Sequence, residues 1–512
     1  MSSESQMEDR LPSAKGDVAH IDWGLPQGEP NTLDPASAQD YGEIQVMSNL
    51  CDTLLRMNPD FSISPNLASF KQPDPKTIVY RLKHGVKFWD GTEMTSADVA
   101  YSINRARSPK STLGELISSI KSVKATGKYE VTVRLSRADK LVSKQMAGIA
   151  GAVYEADYAK RAGSKFGSAS GGVMCSGPFK LAKWKAGSGI ELTRNEVYWN
   201  PTYRAHAKTV SFKFLSDSVA LAQTIAAREI DGAYEVPPAI LPRLSQISSG
   251  SLHYGRSFGF VELNVMRPDG PLANLALRKA LFGVIEREGI ARSIYHGSAE
   301  ANYTLAAKNT WDPEAKELWE AAYPKWVREN KLDVDTAKAL VKQAGGGAKP
   351  IVLVIEQGNE TMSLMAQLIQ QDAEGIGLNV EIRPMTQVQI AELRDSPGAR
   401  KGIDLLIGAA AGIVGDTQEN VPYYVGSGSY YNYTHYKNPR VDKLMAQAQD
   451  SLDPKRRARL LIEAQDLYEP ARVTTDLLTT STILYLDKRL TGATVSYSYV
   501  YEPSLALIGS AE

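Results

Sequence analysis

The densest run of chemically capable side chains is HGVKFWDGTEMTSADV, His84–Val99: one histidine, three acids, three hydroxyls and a tryptophan within sixteen positions. Histidine beside carboxylates is the raw material of general acid–base catalysis or of a metal site. The six histidines stand at 20, 84, 206, 253, 296 and 435, none within four residues of another, so no HExxH-type helix exists. GRSFG, Gly255–Gly259, fits the G-x-S-x-G pattern of a serine nucleophile, but that chemistry needs a strand-to-helix turn. Ser257 instead runs into FVELNV, a further strand, so a hydrolase or transferase built on Ser257 or on an acid pair is the weaker alternative. Asp416 ends AAGIVGD, an apolar strand followed by a Gly-rich turn. A carboxylate at the C-terminal end of a parallel strand tends to face a ligand crevice; the other reading is an Asx-turn or a helix N-cap. VPYYVGSGSYYNYTHY, 421–436, carries six tyrosines that either line a cleft or pack as a loop on their own lobe.

Within the opening run the acids have local uses. Asp90-Gly91 makes a turn, and TSAD, Thr95–Asp98, is a capping-box pattern that starts a helix through SADVAYSINRA. His84 precedes Gly85 at a hairpin bend. The run therefore reads as scaffold.

Composition narrows the partners. Lys plus Arg and Asp plus Glu each number 58 in 512 residues, a zero net charge that argues against nucleic acid or an anionic membrane as the main partner. Tyrosine, 24 residues against 10 phenylalanines, suits surfaces that are part apolar and part wet. No stretch reaches the roughly 18 apolar residues of a membrane span. The polar, Ser-rich start reads as a flexible leader over 1–16, of a cytoplasmic protein or of a mature exported one. Two cysteines, Cys51 and Cys175, do not make a zinc site; they are either buried thiols or one long-range disulfide.

The elements form a mixed α/β pattern in more than one lobe. VAHIDWGL and YEVTVRLS alternate as strands, and TIVYRLKHGVKFWDG reads as two short strands about a Gly turn. YGEIQVMSNLCDTLLRM has helical periodicity through Leu54, and LANLALRKALFGVIEREGIARSIY reads as one long amphipathic helical region. IVLVIEQ, ETMSLMAQLIQQDAEGIG, LNVEIRP and IDLLIGAA form strand, helix, strand and strand, which implies a parallel sheet.

Several segments, taken in order, resemble the peptide-type (cluster C, family 5) extracytoplasmic solute-binding proteins of ABC importers. They are NLCDTLLRMNPDFSISPNLASF, YRLKHGVKFWDGTEMTSADVAYSINRA, SGPFKLAKWKAGSGIELTRNEVYWN, EIDGAYEVPP, LRKALFGVIEREGIARSIYHGSA, DTAKALVKQAG and YTHYKNPRVDKLM, and the likeness spans about 18–500. The resemblance implies a two-lobed, periplasmic-binding-protein-like clamp of type II with an inserted domain. Lobe I would comprise 17–41, 173–258 and 480–512, the inserted domain 42–172 and lobe II 259–479. It implies no enzyme and no cofactor, a monomer, a small solute as ligand and ABC permease subunits as partners. The place of work would be extracytoplasmic, periplasmic or lipid-anchored, and that oxidising location favours the Cys51–Cys175 disulfide.

In peptide-binding members of that family an aspartate at the position of Asp416 meets the ligand's amino group. The stretch resembling Gly28–Pro35 lies along the ligand, which implicates Glu29, Pro30, Asn31 and Thr32. Phe260, Gln357, Asn359, Gln387 and Ile413 complete the expected contacts. Ile413 replaces the family's aromatic, Ala410 stands where a basic residue can meet a peptide carboxylate, and Gln357-Gly358-Asn359 occupy a loop where dipeptide binders place an arginine. A dipeptide is thus disfavoured; longer or modified peptides and non-peptide solutes such as oligosaccharides, opine-like amines or metal chelates stay open.

Overall fold

Alternating apolar and polar side chains over VAHIDWGL make a half-buried strand, present as β1, Val18–Leu25, in the computed structural model of the chain. The structure describes residues 7–347 and 349–512. They form two units: Ser257–Ser481, and 7–256 with Thr482–Glu512.

In the second of these, β1 is followed by α1, Tyr41–Leu50. Four strands, β2 (Ala68–Asp74), β3 (Thr77–Leu82), β4 (Ile120–Gly127) and β5 (Glu130–Leu135), form an antiparallel sheet in the order β2–β3–β5–β4. Helix α2, Ser96–Ala106, packs on it, with Asn104 donating to the Val123 carbonyl. The same unit continues with β6 (Phe179–Lys185), β7 (Gly189–Arg194), β8 (Ala207–Phe214), α3 (Ser218–Ala226) and β9 (Gly232–Tyr234). β1 runs parallel to both β8 and β9, and β7 pairs antiparallel with β8 and with β6. Gly232 lies opposite Trp23, and a Cβ there would come within 2.4 Å of the indole ring, so the bulky core residue requires a glycine facing it. Leu221 and Ile225 of α3 pack with Ile230, Ala233 and Leu244.

The chain crosses between the units within β10, Gly250–Val265, and again near its end. The unit Ser257–Ser481 holds α4 (Leu275–Val284), α5 (Arg287–Ser293), β11 (Ile351–Glu356), α6 (Glu360–Gly375), β12 (Val380–Met385) and β13 (Leu405–Ala411). It ends with α7 (Thr417–Val425), α8 (Pro454–Tyr468) and the first part of β14 (Thr474–Asp487). β11 is flanked by β12 and β13, both parallel to it, and α6 is the crossover from β11 to β12. This is the βαβ arrangement expected from the near-continuous apolar strands. β13 pairs antiparallel with β10. Leu263, Leu353, Met365, Ile369 and Leu405 form the sheet–helix core, and Trp319, Trp326, Leu461 and Tyr468 centre a second, helical one.

Four expectations are corrected. Residues 7–16, expected as a flexible leader, are held in place: Met7 bridges to Tyr254, Arg10 to Thr494 and Gly16 to Ser510, while the Arg10 guanidinium pairs with buried Glu502 at 2.8 Å. Residues 1–6 of that stretch lie outside the described residues. The helix expected through Leu54 stops at Leu50, because Cys51 turns extended and is tied to Cys175 in a disulfide. The expected second strand after β3 is a single bridge, Lys87 to Glu93. The long helical region divides into α4 and α5, because Glu286 accepts the Gly289 N–H to start a new helix and buried Arg287 donates to the Phe282 carbonyl at the end of the old one.

Candidate functional site

The run His84–Val99 is scaffold throughout. Asp98 accepts the Thr95 N–H at 2.9 Å and the Ala156 N–H at 3.1 Å, closing the capping box of α2 and anchoring a second segment. Asp90 accepts the Thr92 N–H at 2.8 Å, and the His84 ring stacks on Tyr129 with centroids 4.1 Å apart. Ser257 lies within β10, its hydroxyl accepting the Gly259 N–H at 2.9 Å, with no strand-to-helix turn after it. The Asn-x-x-Tyr-Trp motif also serves the scaffold: Tyr198 and Trp199 both donate to Asp52, at 2.7 and 2.9 Å.

Polar candidates gather where parallel strands end. In the unit Ser257–Ser481, Glu356 closes β11 opposite Met385, the last residue of β12. The Glu356 carboxylate accepts from the Gln387 amide at 2.6 Å and from Asn359 at 3.4 Å. Asn359 also caps α6 by accepting the Met362 N–H, and the Gln357 N–H donates to the Met385 carbonyl. The register thus brings Gln357, Asn359 and Gln387 to one sheet edge around a carboxylate that sequence reasoning missed. Phe260 lies opposite Ala410, next to the end of β13.

The turn after β13 is built by a second missed acid. Glu419 accepts the Ile413 and Val414 N–H groups at 2.8 and 3.0 Å. Asp-x-x-Glu, Asp416 to Glu419, is a capping pattern that could have flagged it. Gly415 has φ +58, and a Cβ there would come within 2.0 Å of the Phe258 ring. Asp416 caps α7 by accepting the Gln418 N–H, and its carboxylate meets the Arg457 guanidinium at 2.8 and 3.2 Å. Asp416 is 2% exposed. The carboxylate expected to face a ligand amine therefore already holds a guanidinium and a helix start. Five of the six tyrosines nearby group around one ring: Tyr431 stacks on Tyr424 at 5.3 Å and meets Tyr423, Tyr430 and Tyr433 edge-on.

In the other unit β1, β8 and β9 are parallel, so their C-terminal ends also share one edge. Gly28 turns the chain after β1 with φ +85. Exposed Glu29 accepts from the Trp184 indole at 2.9 Å and from the Gly187 N–H at 2.8 Å, which ties it to the β6–β7 hairpin. Pro30 is buried, and the Asn31 N–H donates to Glu43 at 3.0 Å. The Thr32 hydroxyl accepts the Asp34 N–H at 3.0 Å. β9 ends at Tyr234, and the next residue, Glu235, is a third acid that sequence reasoning missed; its only signal is a carboxylate directly after the alternating GAY.

Among the described residues no group of three or more His, Cys, Asp or Glu side chains could hold a metal ion, and no helix is long and apolar enough to cross a membrane.

Comparison with known proteins follows the same line. The family of bacterial extracellular solute-binding proteins, family 5 (middle region), matches residues 62–432. The oligopeptide-binding protein AppA of Bacillus subtilis is 24% identical over 473 residues, covering 86% of this chain and 82% of the relative. The glutathione-binding protein GsiB of Escherichia coli K12 is 22% identical over 448 residues, with 85% and 84% covered. The solved structure of AgaA from A. tumefaciens R10 with agropinic acid superposes with a TM-score of 0.79 at 20% identity, covering 96% of this chain and 98% of that one. At that identity the likeness speaks for the fold, the type II clamp fold of periplasmic binding proteins.

Proposed function

The chain belongs to the bacterial extracellular solute-binding proteins of family 5, and from that premise we propose that it is the substrate-capturing component of an ABC importer, taking up a peptide or peptide-like solute and delivering it to permease subunits in the membrane. The family match over residues 62–432 carries this reading. The strand ends support it: they present amides, carboxylates and aromatic rings, the repertoire of recognition. AppA and GsiB, among its curated relatives, are binding proteins, and the chain works as a monomeric receptor without catalysis. The division into lobe I (17–41, 173–258, 480–512), an inserted domain (42–172) and lobe II (259–479) belongs to this reading. So does a periplasmic or lipid-anchored location, with which the Cys51–Cys175 disulfide agrees.

The edge formed by β11, β12 and β13 supplies the contacts Gln357, Asn359, Gln387 and Ile413, and neighbouring β10 supplies Phe260. Asp416 takes part through its pair with Arg457, which holds the turn 412–416 in place. Within the unit that holds β1, the expected contacts are Glu29, Pro30, Asn31 and Thr32, directly after that strand. Gln-Gly-Asn at 357–359 offers no cation for a short peptide's carboxylate. That favours longer or modified peptides, and it keeps opine-like amines as the second reading.

Native mass spectrometry of the purified protein, followed by a thermal-shift screen, tests this. A pool of tri- to pentapeptides is expected to raise the melting temperature, since saturation at about 100 Kd adds about 2.7 kcal/mol. A response only to amines or opines selects the second reading, and no response to peptides, glutathione, sugars, amines or chelates defeats the receptor assignment.

A further inference from the structure

Glu235 follows β9 with φ +54, a left-handed backbone that costs a non-glycine residue energy and is found where local structure serves a task. Its carboxylate accepts from the Tyr499 hydroxyl at 2.9 Å. Around it runs a continuous set of rings. Tyr234 stacks face to face on Tyr499 at 3.8 Å, Tyr497 meets Tyr499 at 6.3 Å, and Tyr41 meets Tyr497 edge-on at 5.8 Å. Trp23 backs Tyr234 at 5.2 Å, and Tyr501 backs Tyr497 at 6.1 Å.

Five of these rings are buried; Tyr41 and Glu235 keep part of their surface accessible. The titratable groups facing the carboxylate are the phenols of Tyr41 from α1 and of Tyr497 and Tyr499 from the C-terminal segment. Asp40 borders Tyr41, and the Arg10–Glu502 pair lies beyond Tyr234. No Lys, Arg or His among the described residues acts on Glu235: burial raises its pKa to about 7, and the Tyr499 hydrogen bond opposes that rise.

We propose that Glu235 is the counter-ion site for a primary ammonium group of the captured solute. This rests on the receptor reading above and names the ligand chemistry of that site. A carboxylate set among phenol groups, with no cation of its own, matches an organic ammonium through charge and charge-assisted hydrogen bonding. The ammonium binds the ionised form, so affinity rises with pH through the neutral range and binding releases a proton from Glu235.

The test titrates two probes by calorimetry: a pool of free-amine tri- to pentapeptides and the same pool N-acetylated. Wild type is expected to bind the free-amine pool more tightly, with affinity rising severalfold between pH 6 and 7.5. Glu235→Gln should weaken the free-amine pool at least tenfold, flatten that pH response and leave the acetylated pool unchanged. Tyr499→Phe keeps the carboxylate and should shift the pH midpoint upward. Equal binding of the free-amine pool by wild type and E235Q overturns the inference while the receptor reading stands, and so does an equal loss of both pools. If wild type binds neither pool, nor any solute in the thermal-shift screen, the receptor reading itself falls.

Discussion

Asp416 illustrates what a single residue discloses. That it follows a strand and starts a helix was legible from AAGIVGD and the Asp-x-x-Glu that continues it. That it is paired was not, because Arg457 comes 41 residues later on another helix. Both side chains are about 3% exposed. Removing one partner of a buried ion pair leaves an uncompensated charge and costs about 3–5 kcal/mol. Asp416→Ala is therefore expected to lose about 3 kcal/mol in urea unfolding, with Asp312, 3.5 Å from Arg457, limiting the damage. A loss under about 1 kcal/mol would mean that the pair contributes little. Glu235 lies at the other extreme of legibility. Nothing in EIDGAYEVPP announces its tyrosine neighbours, which come from α1 and from the chain's last sixteen residues.

Elements were read well where local chemistry decides them. The start of α2 follows from Thr95 and Asp98, and β11, α6, β12 and β13 follow from apolar period and length. Elements decided by distant partners were misread: α1 ends where a disulfide takes hold, and α4 and α5 separate where Arg287 reaches back to a carbonyl. The turn after β13 joins both kinds of cause. Its glycine was visible, but the Phe258 ring that makes it necessary was not. Gly415→Ala forces a side chain into that ring from a left-handed backbone. Overpacking of this kind costs about 1–3 kcal/mol, and it displaces the N–H groups that Glu419 holds. The variant should show both a lower melting temperature and weaker solute binding; unchanged binding would remove this turn from the site.

For the whole molecule, the order of segments carried the family, while the role of the residues before β1 was hidden because their partners lie near 254, 494 and 510. The disulfide spans a sequence separation of 124. Closing a loop of that size stabilises by about 4–5 kcal/mol in the chain-entropy model. Replacing Cys51 and Cys175 together by serine should lower unfolding free energy by a comparable amount, and reductant should then change nothing further. An unchanged urea midpoint in the double variant would show that the bond is dispensable.

β14 has one more consequence, for the order in which the protein comes into being. Its last residues pair with β9, Gly232 opposite Leu486, inside the unit that begins the chain. The unit Ser257–Ser481 is one continuous stretch, complete as soon as residue 481 has been made. The unit synthesised first lacks a strand until residues 482–487 arrive, and lacks Glu502, the buried partner of Arg10, until later still. The first-made unit of this sequence is thus the last to be finished, and until residues 482–487 are made its strand β9 keeps one edge unpaired.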